Sequence, residues 1–184
     1  MLSVLRNPLA WRSNEAEMSE THRAYLSLGS NIQPRVNLVR AVQLLQNYGK
    51  VEEISSAWES KSVGAEGPNY LNACISFTTL FNKMELKEQI IRPIEEKLGR
   101  KRSGNKFAPR TIDIDIVLFD DQSCDDKYWE QAFVVIPMAE IYPDYQNPVT
   151  HESTTETATR LRKGVWIEAR QGVLSQLSGS SYTA

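Results

Sequence analysis

Between Gly99 and Phe119 the chain brings together the residue types that could do chemistry. The first half of this stretch carries five cations, Arg100, Lys101, Arg102, Lys106 and Arg110, and no acid. The second half alternates, with Asp113, Asp115 and Val117 in one set and Ile112, Ile114, Ile116 and Leu118 in the other. Alternation rich in β-branched residues predicts a strand whose successive side chains point to opposite faces. Two carboxylates two residues apart on a strand stand about 6.5–7 Å apart at Cα, close enough to converge on one metal ion or a pair. Mg²⁺ takes one or two carboxylates and completes its shell with phosphate oxygens and water. Arginines then neutralise phosphate charge that the metal leaves uncovered, often in bidentate geometry. A basic loop running into an Asp-x-Asp strand therefore fits a nucleoside triphosphate with magnesium. The plainer alternative is an edge strand whose aspartates face water. The apolar character of the strand and the Pro109-Arg110 pair leading into it favour a site.

Positioning these groups is the task of the elements before them. Arg23 to Leu28 predicts a strand stopped by Gly29-Ser30-Asn31, and a helix follows with Pro34 in its first turn and Leu38, Ala41, Val42 and Leu45 on one face. Gly49 ends that helix, and Lys50 to Trp58 reads as one strand. After a polar loop, Tyr70 to Leu80 predicts a strand with Leu71, Ala73, Ile75 and Phe77 on one face and Tyr70, Asn72, Cys74, Ser76 and Thr78 on the other. Asn82 and Glu85 have the spacing of a capping box for a helix carrying Leu86, Ile90, Ile94 and Leu98. Pro93 inside that helix predicts a kink, and Gly99 ends it. Strand, helix, strand, strand, helix, strand is the ferredoxin-like βαββαβ order of an α+β domain. It gives an antiparallel sheet with both helices on one face and the substrate site on the other. Tyr70, Asn72, Asp113 and Asp115 share that other face, and only loops and the C-terminal region are left to cover it.

The 184 residues, 41% hydrophobic and 24% charged with a formal net charge of −2, fit one globular domain. That charge argues against a nucleic-acid binder, whose footprint is broadly basic. Cys74 and Cys124 make no metal or disulfide pattern, and the two histidines, His22 and His151, lie in polar flanking segments. Residues 1–22 read as an N-terminal extension, in which Met18 is a second candidate start. No run has signal-peptide or membrane-spanning length, which predicts a cytoplasmic protein without membrane partners. Residues 23–145 are expected to form the functional domain, and 146–184 a polar C-terminal segment with a flexible tail.

Four blocks occur in order: Leu26-Ser27-Leu28-Gly29-Ser30-Asn31, Pro68-Asn69-Tyr70-Leu71-Asn72-Ala73, Ile94-Glu95-Glu96-Lys97-Leu98-Gly99-Arg100-Lys101-Arg102 and Pro109-Arg110-Thr111-Ile112-Asp113-Ile114-Asp115. Together they resemble the 6-hydroxymethyl-7,8-dihydropterin pyrophosphokinases of folate biosynthesis, as does the later Pro137-Met138-Ala139-Glu140-Ile141-Tyr142-Pro143. The resemblance implies transfer of pyrophosphate from ATP to a pterin hydroxymethyl group, with release of AMP. By position it implies that Asp113 and Asp115 hold two Mg²⁺ ions on the ATP phosphates. Arg100, Arg102 and Arg110 would steady the triphosphate and the charge that develops on transfer. Asn72 would hydrogen-bond the pterin, with Tyr70 and Phe133 as aromatic walls and Gly64 beside it in a mobile loop. Glu95, Arg92, Phe107 and Ile116 fall at nucleotide-side positions. The implied partners are these small molecules, with oligomeric state left open.

The family carries a histidine and an arginine after its Asp-x-Asp strand. Here Asp120 to Ala132 has neither, and Gln131 stands where that arginine is expected. Arg92 and Lys61, at positions usually neutral in the family, are candidate replacements. Three other readings compete. A non-catalytic ferredoxin-like module descended from the enzyme is one. A nucleotidyltransferase is another, but it would place Gly-Ser close to Asp-x-Asp rather than some eighty residues away. An RNA-binding sheet would need more exposed aromatics than Tyr70 alone.

Overall fold

In a computed structural model, which describes residues 20–62, 67–101 and 109–177, the predicted alternation becomes a seven-stranded antiparallel sheet. In chain order the elements are β1 (His22–Ser30), α1 (Pro34–Leu45), β2 (Lys50–Ile54), β3 (Ala57–Ser60) and β4 (Tyr70–Thr79). The second helix follows in three consecutive pieces, α2 (Lys83–Glu85), a π-turn at Leu86–Ile91 and α3 (Arg92–Lys97). Then come β5 (Asp113–Phe119), β6 (Gln122–Ser123), a 3₁₀ turn at Asp126–Glu130, α4 (Ala132–Ile141), α5 (Thr154–Arg162) and β7 (Ile167–Arg170). The strand order is β6-β5-β1-β4-β3-β7, with β2 also paired to β4. Its centre, β5-β1-β4 flanked by β2 and β3, is the ferredoxin-like arrangement expected from the element order.

Two apolar layers follow from the two faces. On the helix side, Leu26, Leu28, Ile75, Phe77, Ile112 and Ile114 pack with Leu38 and Leu45 of α1 and with Leu86, Ile90 and Ile94 of the second helix. On the other side, Tyr25, Cys74 and Val117 pack under Val134, Val135 and Met138 of α4 and Ala158 of α5. The C-terminal region thus supplies much of the cover that the site face lacked.

Two expectations needed revision, and two others take a more specific form. The segment Lys50 to Trp58 is two strands, because the chain breaks at Ser55-Ser56. Ser55 still closes both of its bonds to Cys74, accepting from its N–H through Oγ and donating to its C=O, both at 2.9 Å. Leu118 does not share the face of Ile112, Ile114 and Ile116. A bulge leaves Val117 as the extra residue, since Tyr25 pairs with Leu118 but Leu26 with Ile116, and both Val117 and Leu118 then turn to the second layer. Pro93 is met by a π-turn: the helix restarts as α3 with the proline in its first turn, where a missing N–H is tolerated. Finally, the segment beyond residue 145 is not only a polar appendage. It carries α5 and β7, and it returns Val173 and Leu174 to the helix-side core. The weak apolar content of α5 hid it from a periodicity reading. Residues 1–19 and 178–184 lie outside the described residues, and with them the expected extension, Met18 and the tail's last residues.

Candidate functional site

Sheet register sets the floor of the site. Asp113 pairs with Gly29, Gly29 with Asn72, and Asn72 with Trp58, while one step along Asp115 pairs with Ser27 and Ser27 with Cys74. Paired residues in a sheet share a face, so Asp113 and Asn72 look out on the same side, separated only by a residue without a side chain. A Cβ at Gly29 would lie 3.1 Å from Asn72 Oδ1. Asn72 is 3% exposed, and its Nδ2 donates to Ser60 Oγ at 3.0 Å, which fixes the amide plane.

The turn after β1 explains how the basic loop is aimed. Ser30 Oγ donates to the Thr111 carbonyl at 2.5 Å, and Asn31 Oδ1 accepts from the Arg110 N–H at 2.7 Å. The Asn31 and Ile32 N–H groups both donate to the Arg110 carbonyl, at 3.1 and 3.2 Å. Asn31 Nδ2 also reaches the Pro68 carbonyl, at 3.4 Å. One short turn thus ties the entry to β4 to the entry to β5. Held this way, Arg110 pairs with Asp113.

The carboxylates sit in a lattice of cations. Arg100 bridges Asp113, at 2.5 Å, and Glu95. Glu95 is 2% exposed, and its Oε1 accepts from the Ile114 N–H at 2.9 Å, closing a donor on the β5 edge. Burial raises the Glu95 carboxyl, with its bond from Ile114 and Arg100 acting the other way. Asp115 has Lys87 Nζ at 3.7 Å and a hydrogen bond with Tyr128. Burial, and then the charge of Asp113, lift the Asp115 carboxyl above the ordinary aspartate range, against the pull of Lys87 and Arg100. Burial and Asp115 together push the Tyr128 hydroxyl well up, so it stays protonated and donates. The donor set suits magnesium brought by a polyphosphate. Two hard carboxylates share one face, and among the described residues no group of three or more His, Cys, Asp or Glu could enclose a metal unaided. Phosphate and water would complete such a shell.

Above this floor is a cavity of ≈ 330 Å³ lined by Tyr70, Asn72, Arg110, Asp113, Asp115 and Phe133, six of the residues expected from sequence. That volume lies at the small end of the roughly 300–1,000 Å³ common for ligand pockets, and suits one small heterocycle. Arg100 and Glu95 stand outside the lining but are wired to Asp113. Two nucleotide-side expectations are not brought into the cavity. Arg92 is engaged by Glu88 one turn back on its own helix, and Ile116, 6% exposed, packs in the helix-side core because its parity in β5 is that of Ile114. Arg102, Phe107 and Gly64 lie outside the described residues. Lys61 and Gln131 do line the cavity. Lys87, Tyr128 and Ser27 were not foreseen. Ser27 follows from register with Asp115, but Lys87 and Tyr128 reach Asp115 through tertiary contacts that no local pattern signals.

A family model described as 7,8-dihydro-6-hydroxymethylpterin-pyrophosphokinase matches residues 25–143. A protein of Bacillus subtilis named 2-amino-4-hydroxy-6-hydroxymethyldihydropteridine pyrophosphokinase is 34% identical over 152 residues, covering 76% of this chain and 90% of that one. Its namesake in Aquifex aeolicus is 33% identical over 142 residues, covering 72% and 88%. Among solved structures, a Plasmodium falciparum HPPK-DHPS triple mutant superposes with a TM-score of 0.61 at 13% identity. That superposition covers 79% of this chain and 45% of the longer one, and speaks to the fold alone.

Proposed function

We infer what this chain does from its kinship: it belongs to the 7,8-dihydro-6-hydroxymethylpterin-pyrophosphokinase family. The activity is transfer of pyrophosphate from ATP to the hydroxymethyl oxygen of 6-hydroxymethyl-7,8-dihydropterin, releasing AMP. One observation carries this reading to particular residues. Asp113 and Asn72 stand in one cross-strand row, facing one cavity, with only Gly29 between them. On this reading a metal-binding carboxylate and a heterocycle-binding amide would stand on the two sides of a gap.

Asn72, fixed by Ser60, would hydrogen-bond the pterin edge between Tyr70 and Phe133. Asp113 and Asp115 would hold magnesium, two ions in our reading, whose role is to neutralise phosphate charge and orient the β-phosphorus. Arg100 and Arg110 are the cations beside Asp113, placed to meet the charge that develops on the transferred group. Arg102, Phe107 and Gly64 would complete the site from the two loops, with Glu95 positioning Arg100. Arg92 and Ile116 would serve the nucleotide side only from outside the cavity.

The test is formation of AMP from ATP and 6-hydroxymethyl-7,8-dihydropterin in the presence of magnesium. Absence of AMP, with pterin and nucleotide still binding, would replace the enzyme by a non-catalytic module of the same fold. The segment Asp120–Ala132, which has neither histidine nor arginine, makes that the one competing reading.

A further inference from the structure

We propose that Lys87 is a phosphate-contacting residue, held on Asp115 until a magnesium–polyphosphate arrives. The proposal rests on the pyrophosphokinase reading and adds to it a cation that the sequence pattern did not mark.

The first observation is placement. Among the described residues, β6 pairs with β5 only at Leu118 and Phe119, which leaves the β5 edge beside Asp115 without a strand partner. There, from the layer of helices, Lys87 Nζ comes within 3.7 Å of Asp115 Oδ1. The Lys87 side chain is 37% exposed and that of Asp115 39%, so neither is locked in the core and both can exchange partners.

The second observation is the helix that delivers it. Lys87 lies in the π-turn Leu86–Ile91, eight residues before Glu95, which closes the same β5 edge at Ile114. In a regular α-helix an eight-residue separation leaves two side chains about 80° apart around the axis. A π-turn takes up about one more residue per turn and brings the two nearly into line. It therefore points Lys87 along the edge that Glu95 already occupies. Single π-turns inside helices are frequent at functional sites.

The third is the charge of the surroundings. Asp120 to Ala132 carries five acids against one lysine, and it contributes Tyr128, a hydrogen-bond partner of Asp115, not a cation. Charge for a phosphate on this side must come from elsewhere. Arg100 and Arg110 are both committed to Asp113, and Arg92 to Glu88. Among the described residues, Lys61 lines the cavity with no ion pair of its own to a site carboxylate, and Lys87 is the cation paired to Asp115. Once Asp115 is engaged by magnesium, the ammonium loses that partner. The new anion within reach of its flexible four-carbon stem is a non-bridging phosphate oxygen.

The measurement is calorimetric titration with the magnesium complex of α,β-methylene-ATP, whose α–β linkage cannot be cleaved. Lys87→Met should weaken binding at least tenfold and flatten its salt dependence, while Lys87→Arg restores most of the affinity. Lys83→Met, one turn earlier and exposed, should bind as wild type, and pterin binding should be unchanged in all three. Nucleotide affinity that is unchanged or tighter in Lys87→Met, with a lowered magnesium requirement, would overturn the proposal and make Lys87 only a counter-ion of Asp115. Wild-type protein that binds the analogue but forms no AMP from ATP would remove the proposed function and leave this assignment standing. Failure of the wild type to bind the analogue would overturn both.

Discussion

At the scale of residues, among those described, Asp113 and Asp115 are each paired with cations of the site. Arg100 and Arg110 hold Asp113, and Lys87 holds Asp115. On the proposed reading, phosphates would enter by exchanging partners, which would keep both signs of charge paired and avoid an isolated buried charge. Asp113→Asn and Asp115→Asn keep shape but remove anionic ligands. Each is expected to lower turnover well over tenfold, more than about 1.4 kcal/mol in barrier, and a steady-state AMP assay checks this. Asp115 also makes a pH prediction for the metal-free protein. Its carboxyl is raised, first by burial and then by Asp113, so the native chain binds this proton more tightly than the unfolded chain does. The associated stability is fully present below the unfolded value, about 3.9, and is lost as pH rises through the raised folded value. With magnesium chelated, urea midpoints of wild type relative to Asp115→Asn should therefore fall with rising pH over that window. A pH-independent difference would refute the account. Lys101 is exposed, and Lys101→Ala is expected to leave kcat near wild type, whereas Arg110→Ala lowers it.

At the scale of elements, the turn Gly29-Ser30-Asn31 works as a clamp more than as a ligand. Its side chains hold the backbone of Arg110, Thr111 and Pro68, so it sets where the cation and the Tyr70-Asn72 strand begin. Asn31→Ala should lower kcat through Arg110 while costing roughly 1–3 kcal/mol of stability for the unsatisfied donor it leaves; paired kinetics and urea melts separate the two effects. Gly29→Ala is expected to act differently. The methyl would meet Asn72 Oδ1 on the cavity floor, so pterin affinity should fall, read by titration with the pterin alone, while nucleotide binding stays. The period-2 patterns of β1, β4 and β5 made this much legible in the sequence: the side of the sheet on which Asp113, Asp115, Tyr70 and Asn72 would meet. Two local events were not fully legible. The Val117 bulge depends on pairing with β1, which no window of neighbouring residues encodes. Pro93 marks an interruption of the second helix but not its form, a π-turn over Leu86–Ile91. Lys87 and Tyr128 belong with the bulge, for their meeting at Asp115 joins segments that only the fold brings together.

At the scale of the whole molecule, the sheet continues past the stretch that carries the motifs. β7 pairs with β3 from Ala57↔Arg170 to Ser60↔Ile167, and Arg170 Nε donates to Glu59 at 2.5 Å. Glu59, in turn, accepts from Asn69 at 2.8 Å, just before Tyr70. The C-terminal strand therefore braces the wall that ends in Ser60 and Lys61 at the cavity. α4 is locked to the same wall, because Glu140 accepts from the Trp58 indole and the Ser56 N–H, both at 2.7 Å. Arg162 of α5 lies over the Trp58 ring at 4.9 Å. If residues 164–177 were an appendage, their side chains would not matter to global stability. Leu174, however, is 4% exposed and belongs to the helix-side core with Leu26 and Phe77, on the sheet face opposite to the one that Ile167 covers. The chain thus wraps the β3–β7 edge and closes both layers. Leu174→Ala should then cost about 2–5 kcal/mol, as buried leucine truncations do, and should shift one cooperative urea transition without splitting it. Ile167→Ala, on the other face, should destabilise the same transition. An unchanged midpoint for Leu174→Ala, or a separate early transition, would show that the C-terminal segment folds apart from the sheet that carries the site.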